Sequence, residues 1–191
     1  ADRITVWATM DSPSLTGAYQ FVVVPGNDTV MEVTARLFLR RDVERLGIAP
    51  LTSMFLFAEN NRSAFHDYRN AVHDSDGLKI VRHNGDEVWR SLNNPGRLAT
   101  SFLEEENPRA FGLFQRDREF ANYQDGGAAY ERRPSALIEP LDAWGRGRVA
   151  LIEIPTDLEI NDNIVAFWIP EGEMKAGQEL EFRYRLSWGA I

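Results

Sequence analysis

Residues 28–40 read DTVMEVTARLFLR, with Val33, Ala35, Leu37 and Leu39 apolar at every second position. A period of two puts one set of side chains on one face of an extended chain, the pattern of a half-buried antiparallel strand. Residues 179–188, ELEFRYRLSW, repeat it, with Leu180, Phe182, Tyr184, Leu186 and Trp188 on one face and Glu181, Arg183 and Arg185 on the other. Each strand of this kind has one face to bury, so two antiparallel sheets packed face to face are expected.

Further strand-like runs lie at residues 4–10, 19–24, 88–90, 110–115, 149–154 and 164–169, bounded by Gly, Pro, Asn and Asp. Helix signals are confined to residues 40–47, RRDVERLG, where Gly47 could stop one or two turns, and to residues 117–126, DREFANYQDG. No fixed-period repeat, low-complexity tract or linker-like run interrupts the chain. The expectation is one all-β unit over residues 1–191, mainly an antiparallel β-sandwich with a few short helices and no internal boundary.

Composition sets limits on function. The 191 residues, 43% hydrophobic and 26% charged, describe a folding chain able to bury a sizeable core without metals or disulfides. With 21 Lys and Arg against 29 Asp and Glu, the formal charge of -8 opposes a phosphate-binding surface, so nucleic acid is not an expected partner. The absence of cysteine excludes disulfides, thiolate metal sites and a cysteine nucleophile, and leaves the compartment open. No run reaches the eighteen or so apolar residues of a membrane span, and the first residues carry neither a basic n-region nor an apolar h-region. Strand-like sequence begins at residue 4 and stops near residue 188, so the chain is expected to be a piece of a longer polypeptide.

Two long connections hold most of the chemistry-bearing residues, and long structureless connections in a compact domain are usually functional. Residues 55–89 carry His66, Asp67, His73, Asp74, Asp76 and Asp86; residues 114–140 carry Arg116, Asp117, Tyr123, Asp125, Tyr130, Arg132 and Arg133. The HDSDG of residues 73–77 begins like a calcium loop but lacks the later bidentate Glu, and reads instead as an Asp-rich turn. The three histidines form no H-E-x-x-H motif, and the chain has no G-x-S-x-G elbow, P-loop or G-x-G-x-x-G. No metal and no cofactor are therefore expected.

What remains is carboxylates with aromatics and arginines, a set that sugar chemistry uses: one carboxyl to donate a proton, one to activate water, flat rings to stack on. Residues 151–170, LIEIPTDLEINDNIVAFWIP, set Asp157, Glu159 and Asp162 in a polar gap between two strand-like runs. By pattern these are turn or strand-entry acids with solvated charges. Trp89, Trp144 and Trp168, taken singly, read as core or edge aromatics.

Six motifs in order carry a resemblance: PLTSMFLFAENN (50–61), VHDSDGL (72–78), SLNNPGRL (91–98), NPRAFGLFQRDREFANYQD (107–125), YERRPS (130–135) and VALIEIPTDLEINDNIVAFWIP (149–170). Together they resemble the osmoregulated periplasmic glucan biosynthesis proteins G and D of Gram-negative bacteria, over nearly the whole chain. The resemblance implies a periplasmic protein whose large N-terminal domain is a galactose-mutarotase-like β-sandwich, followed by a smaller immunoglobulin-like domain. This chain would be the later part of that large domain, with some walls of its cleft missing. It further implies similarity to endo-acting, inverting β-1,2-glucanases, with β-1,2-glucan or a related oligosaccharide as ligand.

Carried over motif by motif, Asp162 of NDN would be the general acid and Asp74 of HDS the general base. Tyr130 and Arg133 of YERRP would sit at the substrate, and Arg116, Tyr123 and Trp89, inside or beside the motifs, would line the cleft. The acid role asks Asp162 to keep its proton, through partial burial or the charges of Asp157 and Glu159. An inverting pair stands roughly 6.5–9.5 Å or more apart, so only the fold can bring these two positions together. Two other readings stay open: a carbohydrate-binding scaffold in glucan assembly that does not cleave, and a purely structural piece of sandwich. A truncated sandwich also exposes sheet edges, which leaves a homodimer formed by edge pairing open.

Overall fold

The computed structural model describes residues 2–191. Its larger sheet has eight strands in the order β1 (Ile4–Asp11), β2 (Leu15–Val24), β3 (Thr29–Leu39), β14 (Glu179–Gly189), β11 (Ser135–Pro140), β10 (Ala110–Phe114), β7 (Gly77–Val81) and β8 (Glu87–Ser91). A second sheet of four runs β4 (Ile48–Ser53), β13 (Ile164–Pro170), β12 (Arg146–Glu153) and β9 (Ala99–Glu106). A two-stranded ribbon joins β5 (Phe55–Phe57) to β6 (Val72–His73). Every paired neighbour is antiparallel, as the alternating pattern of residues 29–39 and 179–188 requires.

The alternating faces meet between the sheets. Val33, Ala35, Leu37 and Leu39 of β3 are all buried, and Phe182 and Tyr184 of β14 beside them. Val33, Leu37, Phe182 and Tyr184 pack with Leu51, Val149, Leu151, Ile164, Ala166 and Trp168 of the smaller sheet in one apolar cluster. Trp144, just before β12, sits at its centre, edge-on to Phe182 at 5.6 Å and to Tyr184 at 5.9 Å, and 6.1 Å from Trp168. Burying each such side chain contributes about 1.5–3 kcal/mol, which is why the face and not the turns fixes the register. At the β1 edge the larger sheet outruns the smaller one, and Ile4, Val6 and Trp7 stay exposed, Trp7 at 71%.

Residues 40–47 are not helical, contrary to their sequence signal. Their polar groups are taken by other segments: the Arg40 and Arg41 amides donate to the Ser14 carbonyl, and Asp42 accepts from the Ala176 amide and Lys175. Val43 forms an isolated bridge with Met174 instead. Residues 117–126 do contain one helical turn, α1 (Phe120–Tyr123), closed by Gln124 in the left-handed region. The connection at 55–89 is not structureless: it contains β5, β6, β7 and the start of β8, and the runs of β5 and β6 are buried throughout and so lack alternation. Among the described residues no helix is long and apolar enough to cross a membrane.

Candidate functional site

Asp162 stands where the loop after β12 re-enters the sheet, and the next residue fixes it there. Asn163, 1% exposed, accepts from the Phe55 amide at 2.8 Å and donates to the Phe55 and Ile154 carbonyls at 2.9 and 3.0 Å. Its side-chain amide thus pairs with the β5 backbone as a neighbouring strand would. One residue back along β5, the Met54 carbonyl accepts from the Asp74 amide at 2.8 Å. The path Asp162, Asn163, Phe55, Met54, Asp74 closes a separation of 88 positions through buried hydrogen bonds.

Asp74 is only partly exposed, and its Oδ1 is buried without a hydrogen-bond partner. Arg133 Nε lies 3.2 Å from that oxygen as an ion pair, while its N–H is directed to the Ala128 carbonyl, also at 3.2 Å. Burial pushes the Asp74 carboxyl above the ordinary range, the Arg133 charge pulls it back, and the Asp162 charge adds to the rise. Tyr130 completes this group: its ring lies 5.7 Å from the Arg133 guanidinium. Burial first, then the charges of Glu159 and Asp74, push its hydroxyl up to about 12, so it is a neutral donor near pH 7.

Asp74, Arg133 and Tyr130 thus meet, and Asp162 adjoins the Asn163 clamp; of the other three expected site residues Tyr123 packs on Tyr130, ring centres 6.0 Å apart, whereas Arg116 and Trp89 form a pair of their own. Arg116 stacks on Trp89, its guanidinium carbon 3.7 Å from the ring centre, and pairs with Asp76 at 3.1 Å. On β7 a Cβ at Gly77 would overlap the same indole, so glycine there lets the ring lie against the strand. Trp89 is therefore partly covered by its own neighbours, Arg116 and Gly77. Arg116 lines a separate cavity of about 230 Å³ with His73, Asp76, Asp117 and Glu59. Tyr123 does not line a cleft at all: it is 0% exposed, donates to the Asp117 carbonyl and meets His73 edge-on at 5.3 Å. An aromatic inside a matching motif was here a core residue.

Of the two acids before Asp162, Asp157 is exposed as expected and Glu159 is not simply so. Glu159 is not a solvated turn charge but binds Arg69 at 2.8 Å. Asp162 itself is exposed, so the partial burial expected of it is not found.

Sequence reasoning passed over the residues that hold the group together. Gln115, 2% exposed, donates from Nε2 to the carbonyls of His73 and Tyr130 at 2.9 and 3.0 Å, and its Oε1 lies 2.8 Å from His73 Nδ1. With the amide nitrogen donating to both carbonyls, Oε1 is the acceptor and Nδ1 carries the imidazole proton. Burial lowers the His73 pKa, so the ring stays neutral, stacked on Phe55 at 5.3 Å. One amide therefore fixes the strand of Asp74 to the turn of Tyr130. The available sequence signal was an isolated polar residue closing an apolar strand, FGLFQ for Gln115 and NDNIVAFW for Asn163. Among the described residues no group of three or more His, Asp or Glu is placed to hold a metal ion.

The sequence as a whole, residues 1–191, matches the family described as periplasmic glucan biosynthesis protein, MdoG. Glucans biosynthesis protein G of Cereibacter sphaeroides is 61% identical over 186 residues, 97% of this chain and 34% of that protein. Glucans biosynthesis protein D 2 of Ralstonia nicotianae is 53% identical over 188 residues, 98% of this chain and 35% of its own. Glucans biosynthesis protein G of Pseudomonas aeruginosa PAO1 is 54% identical over 186 residues, 97% and 35% respectively. The chain spans about a third of the length of the curated relatives it matches. The family resemblance of the motifs and the all-β sandwich expectation are both met: the chain belongs to the periplasmic glucan biosynthesis protein (MdoG) family, whose place is the periplasm.

Proposed function

We propose that this chain supplies one wall of a glucan-binding cleft in its parent protein, with both carboxyl groups of an inverting hydrolysis of β-1,2-linked glucan. One observation carries the reading: Asp74, its amide held by the Met54 carbonyl, pairs with Arg133 beside Tyr130, while Asn163, next to Asp162, is clamped to Phe55, the residue after Met54. Family membership supports glucan as the polymer.

In this reading Asp162, at the exposed lip, gives its proton to the glycosidic oxygen as the bond from that oxygen to C1 breaks. Water attacks C1 from the opposite face and loses a proton to Asp74, directly or through an intervening hydroxyl. The product carries the inverted configuration, Asp74 ends protonated, Asp162 ends ionised, and solvent resets both. The Arg133 charge opposes the rise that burial imposes on the Asp74 carboxyl, as a base there requires, and the neutral Tyr130 hydroxyl orients a sugar hydroxyl. A glucan chain laid over Asp162 excludes water there, which favours a held proton.

A second reading, a glucan-binding scaffold that does not cleave, draws support from the exposure of Asp162 and the commitment of Glu159 to Arg69. Incubating the full-length parent with linear β-1,2-glucan separates the two. Shorter products of inverted configuration, lost in Asp162→Asn and in Asp74→Asn, are expected from the hydrolase. Binding without products supports the scaffold, and equal products from parent and Asp162→Asn would remove Asp162 as the acid.

A further inference from the structure

We infer that Arg69 is the positioning residue of the catalytic pair, a junction that holds the loop of Asp162 in place relative to the turn that carries Arg133. The inference rests on the hydrolase reading for its kinetic arm only.

Arg69 is 12% exposed at its side chain and meets three carboxylates. Nε and Nη2 reach the two oxygens of Asp67 at 3.0 and 2.7 Å, Nη1 reaches Asp125 at 2.7 Å, and Nη2 also reaches Glu159 at 2.8 Å. Asp125 and Glu159 lie 56 and 90 positions away, so the contacts join separate loops and not one turn. The guanidinium fork, with its fixed donors, is suited to such a junction in a way an ammonium is not.

Each arm leads to one half of the pair. Asp125 Oδ1 accepts from the Gly127 and Ala128 amides at 3.0 and 2.8 Å, and the Ala128 carbonyl accepts from Arg133, the partner of Asp74. Glu159 is three residues before Asp162 in a loop otherwise held by local bonds. Asn161 bonds to Leu158 and Thr156, and Leu158 to Thr156. Among the described residues, the contact with Arg69 is the one side-chain tie from residues 157–162 to another segment. Arg62 braces Arg69 from behind, donating to the carbonyls of Asp67, Tyr68 and Arg69.

An Arg69 that merely folded its own loop would need only Asp67. Glu159→Gln, at a half-exposed position, cuts the acid arm and leaves the Asp67 and Asp125 arms standing. In the full-length parent acting on linear β-1,2-glucan, kcat should fall roughly tenfold or more, since a displacement near 1 Å can cost that much. KM and melting temperature should stay near those of the parent. Arg69→Lys should show the same split, and Arg69→Met combined with Glu159→Gln should be no worse than Arg69→Met. Unchanged kcat in Glu159→Gln, or additive losses in the double variant, would overturn the assignment.

Hydrogen exchange keeps the inference decidable apart from hydrolysis. In the same full-length Glu159→Gln protein, amides of residues 158–162 should exchange faster while those of β12 and β13 do not. If the parent releases no products, the hydrolase reading fails and this exchange result still decides Arg69; unchanged exchange in the loop would overturn it.

Discussion

Asp74 and Asp162 meet in one group from opposite kinds of surroundings. Asp74 follows a buried ribbon, β5 and β6, whose backbone is fixed by Gln115, by the stacked ring of His73 and by the Met54 carbonyl. Asp162 ends an exposed loop fixed by two side chains, Asn163 behind it and Glu159 before it. The difference assigns different vulnerabilities. On the ribbon side the surroundings tune a carboxyl, so substitutions there should change titration. On the loop side they set a location, so substitutions there should change geometry.

The largest expected effect tests the loop side. Asn163→Leu keeps the volume but leaves the Phe55 amide and two carbonyls unpaired in the interior, and each such group costs about 1–3 kcal/mol. A loss of about 3–5 kcal/mol is expected in urea denaturation of the chain, a large share of the about 5–15 kcal/mol of a typical domain. A loss under about 1 kcal/mol would mean that the clamp is not what joins β13 to β5.

Gln115→Leu comes next, on the ribbon side. It unpairs the His73 imidazole N–H and the carbonyls of His73 and Tyr130, one fewer backbone amide than at Asn163, and should cost about 2–4 kcal/mol by the same measurement. The comparison sharpens if its Asp74 titration also moves while that of Asn163→Leu refolded at low urea does not.

This contrast also explains what could be read from the chain. The sheet was legible where one face is buried and one is not, as at Val33, Ala35, Leu37 and Leu39, because burial alternates with the pleat. It was illegible at Val72 and His73, where both residues are buried and no alternation marks the strand. Residues 40–47 show the limit of local signals, since the partners that override them lie at Ser14 and Ala176. For the candidate site, motif resemblance picked out Asp74, Tyr130 and Arg133, which contact one another, and Asp162, which adjoins the Asn163 clamp. It also picked out Tyr123, which is core, and it passed over Asn163, Gln115 and Arg69. Those are ordinary polar residues until their partners, 15 to 108 positions away, are known.

Asp74→Asn tests the titration of the ribbon side. The folded-state pKa of Asp74 is raised, so the folded chain binds this proton more readily than the unfolded chain. Stability contributed by the site is therefore lost as pH rises from the ordinary Asp value through the raised one, and stays lost above it. Asn, which carries no charge, should raise the melting temperature at pH 7, and the gain should vanish at pH low enough to protonate Asp74 in both states. A lower melting temperature at pH 7 would show that Arg133 outweighs burial.

Arg133→Met gives the smallest change in stability and the most specific one in titration. The ion pair is partly exposed on both sides, so its removal should cost no more than about 1 kcal/mol at neutral pH. The Arg133 charge is what draws the Asp74 carboxyl down against burial and Asp162, so without it the folded-state pKa climbs further. If Asp74 acts as the base in the parent, the acidic limb of kcat/KM should move to higher pH in Arg133→Met. It should move to lower pH where a neutral residue replaces the charge at position 162, provided residual turnover can be measured. Opposite shifts from one cation and one anion would identify the titrating group as Asp74; a limb that moves the same way in both variants would assign it to another residue.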